Sequence, residues 1–396
     1  MTPAARVQAA IDLLDAIIAA AAGQGAAADT IIQRYFKERR YAGAKDRRAV
    51  RDLIYAAIRA HAAPPASGRA AMIALARDDA ALADLFDGSR HGPAPITAEE
   101  RTGTAAMGSA IPEWLLPHLA PLVDRGEQAA LLGRAALHVR VNALKSSREA
   151  VGAALPGAVP LATVPHGLAL PEGTPLEATA EWQAGLIEVQ DAGSQYIAAA
   201  CAARPGQTVL DLCAGAGGKT LALAADMGGE GRLIAADINR DRLKRLAPRA
   251  QRAGAGFIET LLLDGGREAE ALAPLAGACD CVLVDAPCTG MGTWRRNPEA
   301  RWRLSPDMLA RAVAQQARVL DLAAPLVKPG GLLVYAVCSL LDPEGRDQLE
   351  AFLGRSSDWV AEPLHGAGRS WGAGRLLTPA LDGSDGFFVA RLRKAC

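Results

Sequence analysis

The sequence lacks any unbroken apolar stretch that approaches the roughly 18 residues needed to cross a bilayer. Its first residues are apolar, but Asp12 and Asp15 interrupt them and only Arg6 precedes them with positive charge, unlike a secretory signal peptide. Net charge is also lacking, because 43 Lys and Arg residues balance 43 Asp and Glu residues. We therefore expect a cytoplasmic protein without a membrane segment, in which any nucleic-acid surface arises from local clustering of charge.

Cysteine pairs of the C-x-x-C type are absent, and the seven cysteines, odd in number, all lie in the second half of the chain. Neither a disulfide framework nor a structural zinc site fits this distribution, so we expect no bound metal. The cysteines are therefore either small buried hydrophobic side chains or reactive thiols.

The 396 residues exceed what one hydrophobic core usually organises, and the composition of 50% hydrophobic and 22% charged residues is that of a globular protein. Apolar residues at helical spacing predict helices over 4–22, 28–39 and 44–61. The linker composition HGPAPITAEE marks a boundary near residue 90, and LHVRVNALK predicts a strand in a small α+β module. We therefore predict domains over 1–90, 91–180 and 181–396.

The third domain alternates strands with helices. Strands are predicted over Thr208–Leu212, Arg232–Asp237, Thr260–Leu263, Cys281–Asp285, Leu332–Val337 and Phe387–Leu392. Helices are predicted over 218–226, 240–253, 305–327 and 345–354. This alternation predicts an α/β fold with a parallel, doubly wound sheet that binds ligands at the carboxyl ends of its strands.

A glycine-rich loop follows the first of these strands, in the sequence TVLDLCAGAGGKT. Glycines let a backbone turn sharply and approach a ligand closely, and the following helix N-terminus favours negative groups. A phosphate-binding P-loop would need glycine at Cys213, and a dinucleotide fingerprint would need it at Thr220, so neither motif is complete. Asp237 ends the next strand twenty residues after Gly217, where a carboxylate can bind ribose hydroxyls, and this implies an adenosine-containing cofactor.

Acidic residues end four successive predicted strands. They are Asp211, Asp237, Asp264 and Asp285. Because the carboxyl ends of parallel strands share one edge, we expect all four to face the same ligand-binding rim. A single acid at a strand end is more often a helix cap or a turn residue, but four in register favour a ligand site.

Cys288 and Cys338 follow two strand ends, in VLVDAPCTG and VYAVCSLLDPEG, and are expected to meet at that rim. A single cysteine is usually a buried inert thiol. That interpretation applies to Cys201, Cys213, Cys279 and Cys281. Two rim thiols instead indicate covalent chemistry, because carbon 5 of a pyrimidine is a poor nucleophile until a thiolate adds to carbon 6. A rim carboxyl group such as Asp285 can hold the edge of the base.

Two clusters of basic residues are candidate RNA contacts. After Cys288, arginines and tryptophans interleave, which suits phosphates and unstacked bases of an extruded nucleotide. These candidates are Trp294, Arg295, Arg296, Arg301 and Trp302. Alternatively, each tryptophan anchors the loop onto the core. The second cluster, with eight basic and two acidic residues between Arg34 and Arg51, includes Arg47 and Arg48 and is either a phosphate-contacting face or a solvated helix face.

An ordered set of motifs over about 190–393 resembles the Sun/Nop family of RNA 5-methylcytosine methyltransferases, and within it the bacterial RsmB type. The motifs are VQDAGSQYIA, VLDLCAGAGGKT, AADINRDRLKRL, Asp264, VDAPCTGMGTWRRNP, VYAVCSLLDPEG and DGFFVARLRK. Upstream, IPEWLLPHL and LHVRVNALK resemble the family's small RNA-binding module, and the first 60 residues resemble its NusB-like helical domain. The resemblance implies a Rossmann-like methyltransferase domain that uses S-adenosylmethionine.

The resemblance also implies residue roles. The cofactor would bind Asp237, Asp264 and Asp285 and the loop formed by Cys213, Ala214, Gly215, Ala216, Gly217, Gly218 and Lys219. Cys338 would be the nucleophile and Cys288 would assist release of the methylated RNA. DNA cytosine methyltransferases use the Pro-Cys position as nucleophile, so this order of roles depends on family membership. Where members commonly have Ala-Ala-Pro-Gly-Gly-Lys, this chain has alanine in place of proline and an added glycine, which alters loop rigidity.

The resemblance implies RNA as the partner, with small-subunit rRNA favoured and tRNA as an alternative, and we expect a monomer. Two other classes of function remain open. A nicotinamide-dependent oxidoreductase is motivated by the loop and Asp237, although the third glycine is missing. A non-catalytic ribosome-assembly factor is motivated by the basic helices between Arg34 and Arg51.

Overall fold

The computed structural model describes residues 1–23, 25–102 and 111–396, and the chain divides into two compact units. One consists of Met1–Pro117 and Thr293–Pro306, and the other of His118–Gly292 and Asp307–Cys396. This division differs from the predicted boundaries near 90 and 180, because 293–306 packs with the N-terminal helices and 118–180 belongs to the second unit. Residues 103–110 of the predicted linker lie outside the described residues.

The first unit is built from helices, so the predicted N-terminal helical region is confirmed. Its helices are α1 (Pro3–Ala22), α2 (Ala28–Glu38), α3 (Ala44–Ala60), α4 (Gly68–Ala76), α5 (Ala80–Ala83) and α6 (Ala98–Thr102), with 3-10 turns at Glu113–His118 and Pro298–Arg303. At the start of α1, the amide of Ala5 donates to Oγ1 of Thr2 at 3.2 Å. α4 approaches α1 so closely that a Cβ on Gly68 would lie 2.2 Å from the carbonyl oxygen of Ile11.

A small antiparallel sheet opens the second unit. Its strands are β1 (Leu137–Val141), β2 (Val159–Pro160), β3 (Gly167–Leu170) and β4 (Ile187–Val189), in the order β2-β3-β1-β4. The helices α7 (Arg125–Ala130), α8 (Arg148–Ala154) and α9 (Ala180–Gln183) occur in the same part of the chain. Val139, Val151, Leu168 and Ile187 are buried in its core. The strand predicted within LHVRVNALK is β1.

The main sheet has the order β11-β12-β13-β9-β8-β5-β6-β7, with β10 paired to β13. The strands are β5 (Thr208–Asp211), β6 (Arg232–Asp237), β7 (Glu259–Leu262), β8 (Cys279–Asp285), β9 (Val327–Val337), β10 (Trp359–Glu362), β11 (Arg369–Trp371), β12 (Gly374–Leu377) and β13 (Phe387–Lys394). Pairing is parallel from β7 to β9, whereas β13 runs antiparallel to β9. The prediction of a parallel sheet was therefore wrong at this edge, where β13 follows β12 through a connection too short for a parallel crossover.

The remaining helices of the second unit are α10 (Ala192–Ala200), α11 (Gly218–Asp226), α12 (Arg240–Leu243), α13 (Leu246–Ala253), α14 (Glu268–Leu272), α15 (Pro306–Ala323), α16 (Arg346–Arg355) and α17 (Pro379–Asp382). The helix predicted over 240–253 is thus two helices, because the ring of Pro248 would clash with the carbonyl of Lys244 in a continuous helix. Among the described residues, no helix combines the length and apolar character required to cross a membrane.

Candidate active site

The glycine-rich loop connects β5 to α11 at the carboxyl edge of the sheet. Gly215 and Gly217 have φ values of 58° and 81°, in the left-handed region that favours glycine. A Cβ on Gly217 would lie 2.2 Å from Cδ1 of Leu246, so side-chain crowding excludes other residues as well. The loop therefore turns tightly beneath α13 and presents its backbone to the end of β6.

Asp237 at the end of β6 is held by this loop. Its Oδ2 accepts a hydrogen bond from the amide of Gly215 at 2.7 Å, and its Oδ1 accepts one from the amide of Asn239 at 2.7 Å. The side chain is buried but lines an open cavity. Each carboxylate oxygen can accept a second hydrogen bond, so Asp237 is oriented and still has capacity for ligand hydroxyl groups.

The cavity has a volume of about 580 Å³ and lies at the carboxyl ends of the parallel strands. Five residues predicted from the sequence line it: Cys213, Asp237, Asp285, Cys288 and Cys338. The rest of the lining is Leu212, Ile238, Asn239, Arg242, Leu263, Glu268, Ala286, Pro287, Gln315, Arg318, Val319 and Leu322. One cavity therefore contains the acid at the end of β6 and both rim thiols, as expected from the strand ends.

Cys288 and Cys338 lie next to each other in the lining of this cavity. Their Sγ atoms are 3.3 Å apart, within hydrogen-bonding distance for sulfur, although the residues are fifty positions apart in sequence. They meet because Cys288 follows β8 and Cys338 follows β9, which are parallel neighbours. The hydrogen bond with Cys338, together with burial, raises the pKa of Cys288 well above its ordinary value. Cys288 therefore keeps its proton at neutral pH.

A lysine from the glycine-rich loop reaches the end of β8. Nζ of Lys219 donates to Oδ2 of Asp285 at 2.6 Å, and both side chains are largely buried. Burial acts to lower the pKa of Lys219, but the carboxylate of Asp285 more than compensates and raises it above the ordinary value. Lys219 is therefore a cation that fixes Asp285 at the cavity wall.

The four acids at strand ends do not all face the rim. Asp211 is buried with Thr220, whose Oγ1 donates to Oδ2 of Asp211 at 2.7 Å, and burial raises the pKa of Asp211 to about 7. Asp264 is exposed beyond β7, and its neighbour Leu263 lines the cavity instead. The expectation of four rim acids was therefore wrong for Asp211, because the polypeptide turns after it and covers the carboxyl group.

Comparison with known proteins identifies the family. A family model described as 16S rRNA methyltransferase RsmB/F matches residues 198–393. A probable ribosomal RNA small subunit methyltransferase B of Synechocystis sp. is 35% identical over 299 residues, which cover 72% of this chain and 67% of the relative. The ribosomal RNA small subunit methyltransferase B of Xylella fastidiosa is 36% identical over 305 residues, which cover 74% of this chain and 71% of the relative.

The chain belongs to the RsmB/F methyltransferase family. The predicted resemblance to RsmB-type members of the Sun/Nop family is therefore confirmed. A solved structure of a methyltransferase homologue from Pyrococcus horikoshii superimposes with a TM-score of 0.61 at 28% identity, covering 70% of this chain and 92% of that one. The Rossmann-like character predicted for the catalytic domain agrees with this similarity.

In this RsmB/F family member, one wall of the cavity comes from residues that the sequence did not single out. α15 contributes Gln315, Arg318, Val319 and Leu322, which share one helix face at i, i+3, i+4 and i+7. Arg318 binds Glu268 through both guanidinium NH groups, with NH1 at 2.9 Å from Oε1. The helical spacing was readable in the sequence, but nothing local indicated that this face turns towards the β8 and β9 strand ends.

Three of the predicted RNA contacts in this RsmB/F family member are buried instead. Trp294 has no exposed surface, and Trp302 lies in the core of the first unit with its Nε1 donating to the carbonyl of His61 at 2.8 Å. Arg301 is 1% exposed. Its NH2 donates to the carbonyls of Ile58 at 2.6 Å, Arg59 at 3.0 Å and His61 at 2.7 Å. The RNA-contact prediction was wrong for these residues. Arg301 and Trp302 point inward because the carbonyls at the end of α3 need donors.

The other basic candidates lie nearer the surface. Arg47 and Arg48 are exposed on α3, where Nε of Arg47 donates to the carbonyl of Ala42 at 2.9 Å. Arg51 forms an ion pair with Asp29, so part of this face is the salt-bridged helix surface that was the alternative interpretation. Arg295 and Arg296 are partly buried and belong to the first unit. Their contact with RNA stays a prediction.

Proposed function

We propose that this chain methylates carbon 5 of a cytosine in small-subunit rRNA, with S-adenosylmethionine as methyl donor and a covalent cysteine adduct at carbon 6. The observation that carries the proposal is the approach of the Cys288 and Cys338 Sγ atoms to 3.3 Å in a cavity that also contains Asp237. The names of the relatives, which are rRNA small subunit methyltransferases, supply the substrate class.

The part of the cavity around Asp237 suits an adenosine-containing cofactor. The carboxylate is oriented by two backbone amides, and each oxygen retains an acceptor position for a ribose hydroxyl. Ile238, directly after Asp237, is 51% exposed and lines the cavity, so it offers an apolar surface on which a flat ring can pack. Leu263 from the end of β7 adds a second apolar surface. S-adenosylmethionine bound here would supply an electrophilic methyl group.

The thiols divide the covalent chemistry between them. Cys338 adds to carbon 6 of the cytosine, and the electron pair displaced onto the ring makes carbon 5 nucleophilic enough to accept a methyl group. Cys288, whose pKa is raised well above its ordinary value by the Cys338 hydrogen bond and by burial, retains its proton. In the release step a base takes the proton from carbon 5, the electron pair re-forms the C5–C6 double bond, and the Cys338 sulfur leaves carbon 6 as a thiolate. The Cys288 thiol promotes this elimination by donating a hydrogen bond to the leaving sulfur.

Asp285 holds the base during these steps. Its carboxylate lines the cavity beside both thiols and is fixed by Nζ of Lys219 at 2.6 Å. A carboxylate in this position can accept a hydrogen bond from the exocyclic amino group of the cytosine, and from N3–H once N3 takes up a proton as carbon 6 is attacked. We further propose that the basic face on α3, where Arg47 and Arg48 are exposed, contacts phosphates of the RNA. We also propose that the chain acts in the cytoplasm and as a monomer.

Two cysteine variants test the proposal. Purified Cys288→Ala, incubated with small-subunit rRNA and S-adenosylmethionine, should accumulate an RNA adduct that survives denaturing electrophoresis. Cys338→Ala should form no adduct and transfer no methyl group. Cys396→Ala, at an exposed cysteine, is the matched control and should behave like the wild-type protein. An adduct in Cys338→Ala but not in Cys288→Ala would reverse the two roles, and no adduct in either would exclude the covalent route.

The RNA target needs a separate measurement. Bisulfite mapping of total RNA from cells with and without the protein should show loss of 5-methylcytosine at one position in small-subunit rRNA. Loss in tRNA alone would favour the tRNA alternative. Salt-sensitive RNA binding without any change in 5-methylcytosine would favour a non-catalytic assembly factor.

A further inference from the structure

A buried glutamate lies behind the two thiols. Glu344 has no exposed surface and is located between β9 and α16. Its Oε1 accepts hydrogen bonds from the amide of Thr289 at 2.8 Å and from Nε2 of Gln316 at 3.0 Å. Its Oε2 accepts hydrogen bonds from the hydroxyl groups of Thr289 and Ser339. Each carboxylate oxygen therefore has two donors.

The donors to Glu344 come from both thiol loops. Thr289 directly follows Cys288, and Ser339 directly follows Cys338. The side-chain Nε2 of Gln316 also donates to the carbonyl of Pro287 at 3.0 Å, and Pro287 directly precedes Cys288. The carboxylate thus joins the loop after β8 to the loop after β9 at the residues adjacent to the two sulfur atoms.

Burying a carboxylate is costly unless its oxygens are fully hydrogen-bonded. A carboxylate has about four acceptor positions, and here four donors occupy them. Glu344 therefore has no capacity left for a substrate or cofactor, and a direct chemical role is excluded by its own hydrogen bonds. What it can do is fix the distance between the loops that carry Cys288 and Cys338.

We propose that Glu344 is a positioning residue that sets the Cys288–Cys338 spacing required for covalent methyl transfer. The proposal rests on the two-cysteine chemistry given under the proposed function. Its negative charge is not essential, because a glutamine amide oxygen can accept from the Thr289 amide and Gln316. The glutamine NH2 can in turn donate to the two hydroxyl oxygens, whose own hydrogens can rotate away. An alanine offers none of these contacts.

Thiol bridging by phenylarsine oxide measures the spacing without requiring any methyl transfer. The arsenical forms two As–S bonds with neighbouring thiols and releases water, so Cys288→Ala should abolish bridging. The wild-type protein should be bridged, Glu344→Gln should be bridged at a similar rate, and Glu344→Ala should lose bridging. Glu350→Ala, at an exposed glutamate on α16, is the matched control and should be bridged normally.

Activity and cofactor binding are measured on the same proteins. We expect Glu344→Ala to lose about 100-fold in methyl transfer and adduct formation, since misplacement of about 1 Å has effects of this size. Glu344→Gln should stay within about tenfold of the wild type. Binding of S-adenosylhomocysteine by calorimetry should be unchanged in both, because Glu344 lies outside the cavity lining. Kinetics in which only KM changes would contradict a positioning role.

Three further outcomes would overturn the inference. The first is normal bridging and normal adduct formation in Glu344→Ala. The second is an equal loss of bridging and methyl transfer in Glu344→Gln and Glu344→Ala. The third is a loss of S-adenosylhomocysteine binding in Glu344→Ala that parallels its loss of activity. If Glu344→Ala does not fold, Ser339→Ala, which removes a single donor from the Cys338 loop, should slow bridging and methyl transfer together. Failure of the proposed function would appear differently, as a wild-type protein that is bridged by the arsenical but methylates no RNA.

Discussion

Nζ of Lys219 lies 2.6 Å from Oδ2 of Asp285, which links the first turn of α11 to the end of β8. Burial alone would lower the pKa of this lysine, and the Asp285 carboxylate raises it. The pair keeps a carboxylate at the cavity wall in a defined orientation. Because the carboxylate raises the pKa of Lys219, the ionisation of Lys219 depends on whether residue 285 carries a carboxylate.

Replacing Asp285 with asparagine removes the charge that compensates for burial. We therefore expect the pKa of Lys219 in Asp285→Asn to fall. Competitive acetylation across a range of pH, read by peptide mass spectrometry, measures the ionisation of Lys219. The control Asp280→Asn removes the carboxylate paired with the more exposed Lys328 and should leave Lys219 unchanged. An unaltered Lys219 midpoint in Asp285→Asn would contradict the ion pair.

Asp211 should make the stability of the protein depend on pH. Its pKa is raised by burial to about 7 in the folded protein, against 3.8 for an ordinary aspartate. Between these values the folded protein holds a proton that the unfolded chain has released. The contribution to stability is therefore fully present below about pH 4 and is lost as pH rises towards about 7.

The asparagine side chain of Asp211→Asn cannot ionise, so the loss of stability between about pH 4 and about pH 7 should disappear in this variant. Between about pH 4 and about pH 7, the free energy of unfolding should increase for the variant relative to the wild type by on the order of 3 kcal/mol. Urea denaturation at several pH values measures the difference. Asp264→Asn, at an exposed acid, should follow the wild-type pH profile. If Asp211→Asn also follows it, the carboxyl of Asp211 is ionised in the folded protein at neutral pH.

Arg249 should support the glycine-rich loop from outside the cavity. Its NH1 donates to the carbonyl of Ala216 at 2.5 Å, and its NH2 donates to Oε2 of Glu188 at 2.9 Å. Arg249→Met removes this support from a loop that lacks the proline common in the family. We expect the Kd of S-adenosylhomocysteine to rise by about tenfold, the equivalent of one charged hydrogen bond.

Calorimetry measures that affinity, and Arg252→Met supplies the control. Arg252 binds the same Glu188 and lies over the ring of Trp182, whereas the hydrogen bond to the Ala216 carbonyl comes from Arg249. The Kd in Arg252→Met should therefore stay near the wild-type value. Equal weakening in the two variants would mean that the loop depends on Glu188 in general and not on the Ala216 contact.

The side chain of Arg301 should contribute to the stability of the fold and not to RNA binding. Arg301→Met leaves the last carbonyls of α3 without their guanidinium donor, and we expect a loss of about 3 kcal/mol in the free energy of unfolding. RNA affinity and its salt dependence should be unchanged in the folded fraction. Arg48→Met, at an exposed position on α3, should show the opposite pattern, with wild-type stability and a salt slope lower by about one. A lower salt slope in Arg301→Met would restore its role as an RNA contact.

Local sequence was sufficient to predict where the elements that surround the cofactor loop begin and end. β6 and α11 begin and end at the predicted residues, because an apolar strand, a glycine-rich turn and a helix start are encoded within a few residues of one another. The antiparallel direction of β13 was not encoded in this way. A strand of this composition can pair in a parallel or an antiparallel direction. The short connection from β12 makes β13 run antiparallel to β12, and β13 is also antiparallel to β9.

The sequence by itself determined that two cysteines and a carboxylate lie at strand ends of a doubly wound sheet, because alternation of strands and helices implies parallel strands whose carboxyl ends share one edge. Only the tertiary structure decided which side chains reach the cavity. Arg301 turns inward because carbonyls at the end of α3 accept hydrogen bonds from its guanidinium group, and Asp211 is buried beside the hydroxyl of Thr220. α15 supplies a cavity wall from a distant part of the chain. The 3.3 Å spacing of the thiols likewise depends on contacts between residues about fifty positions apart, which no local pattern contains.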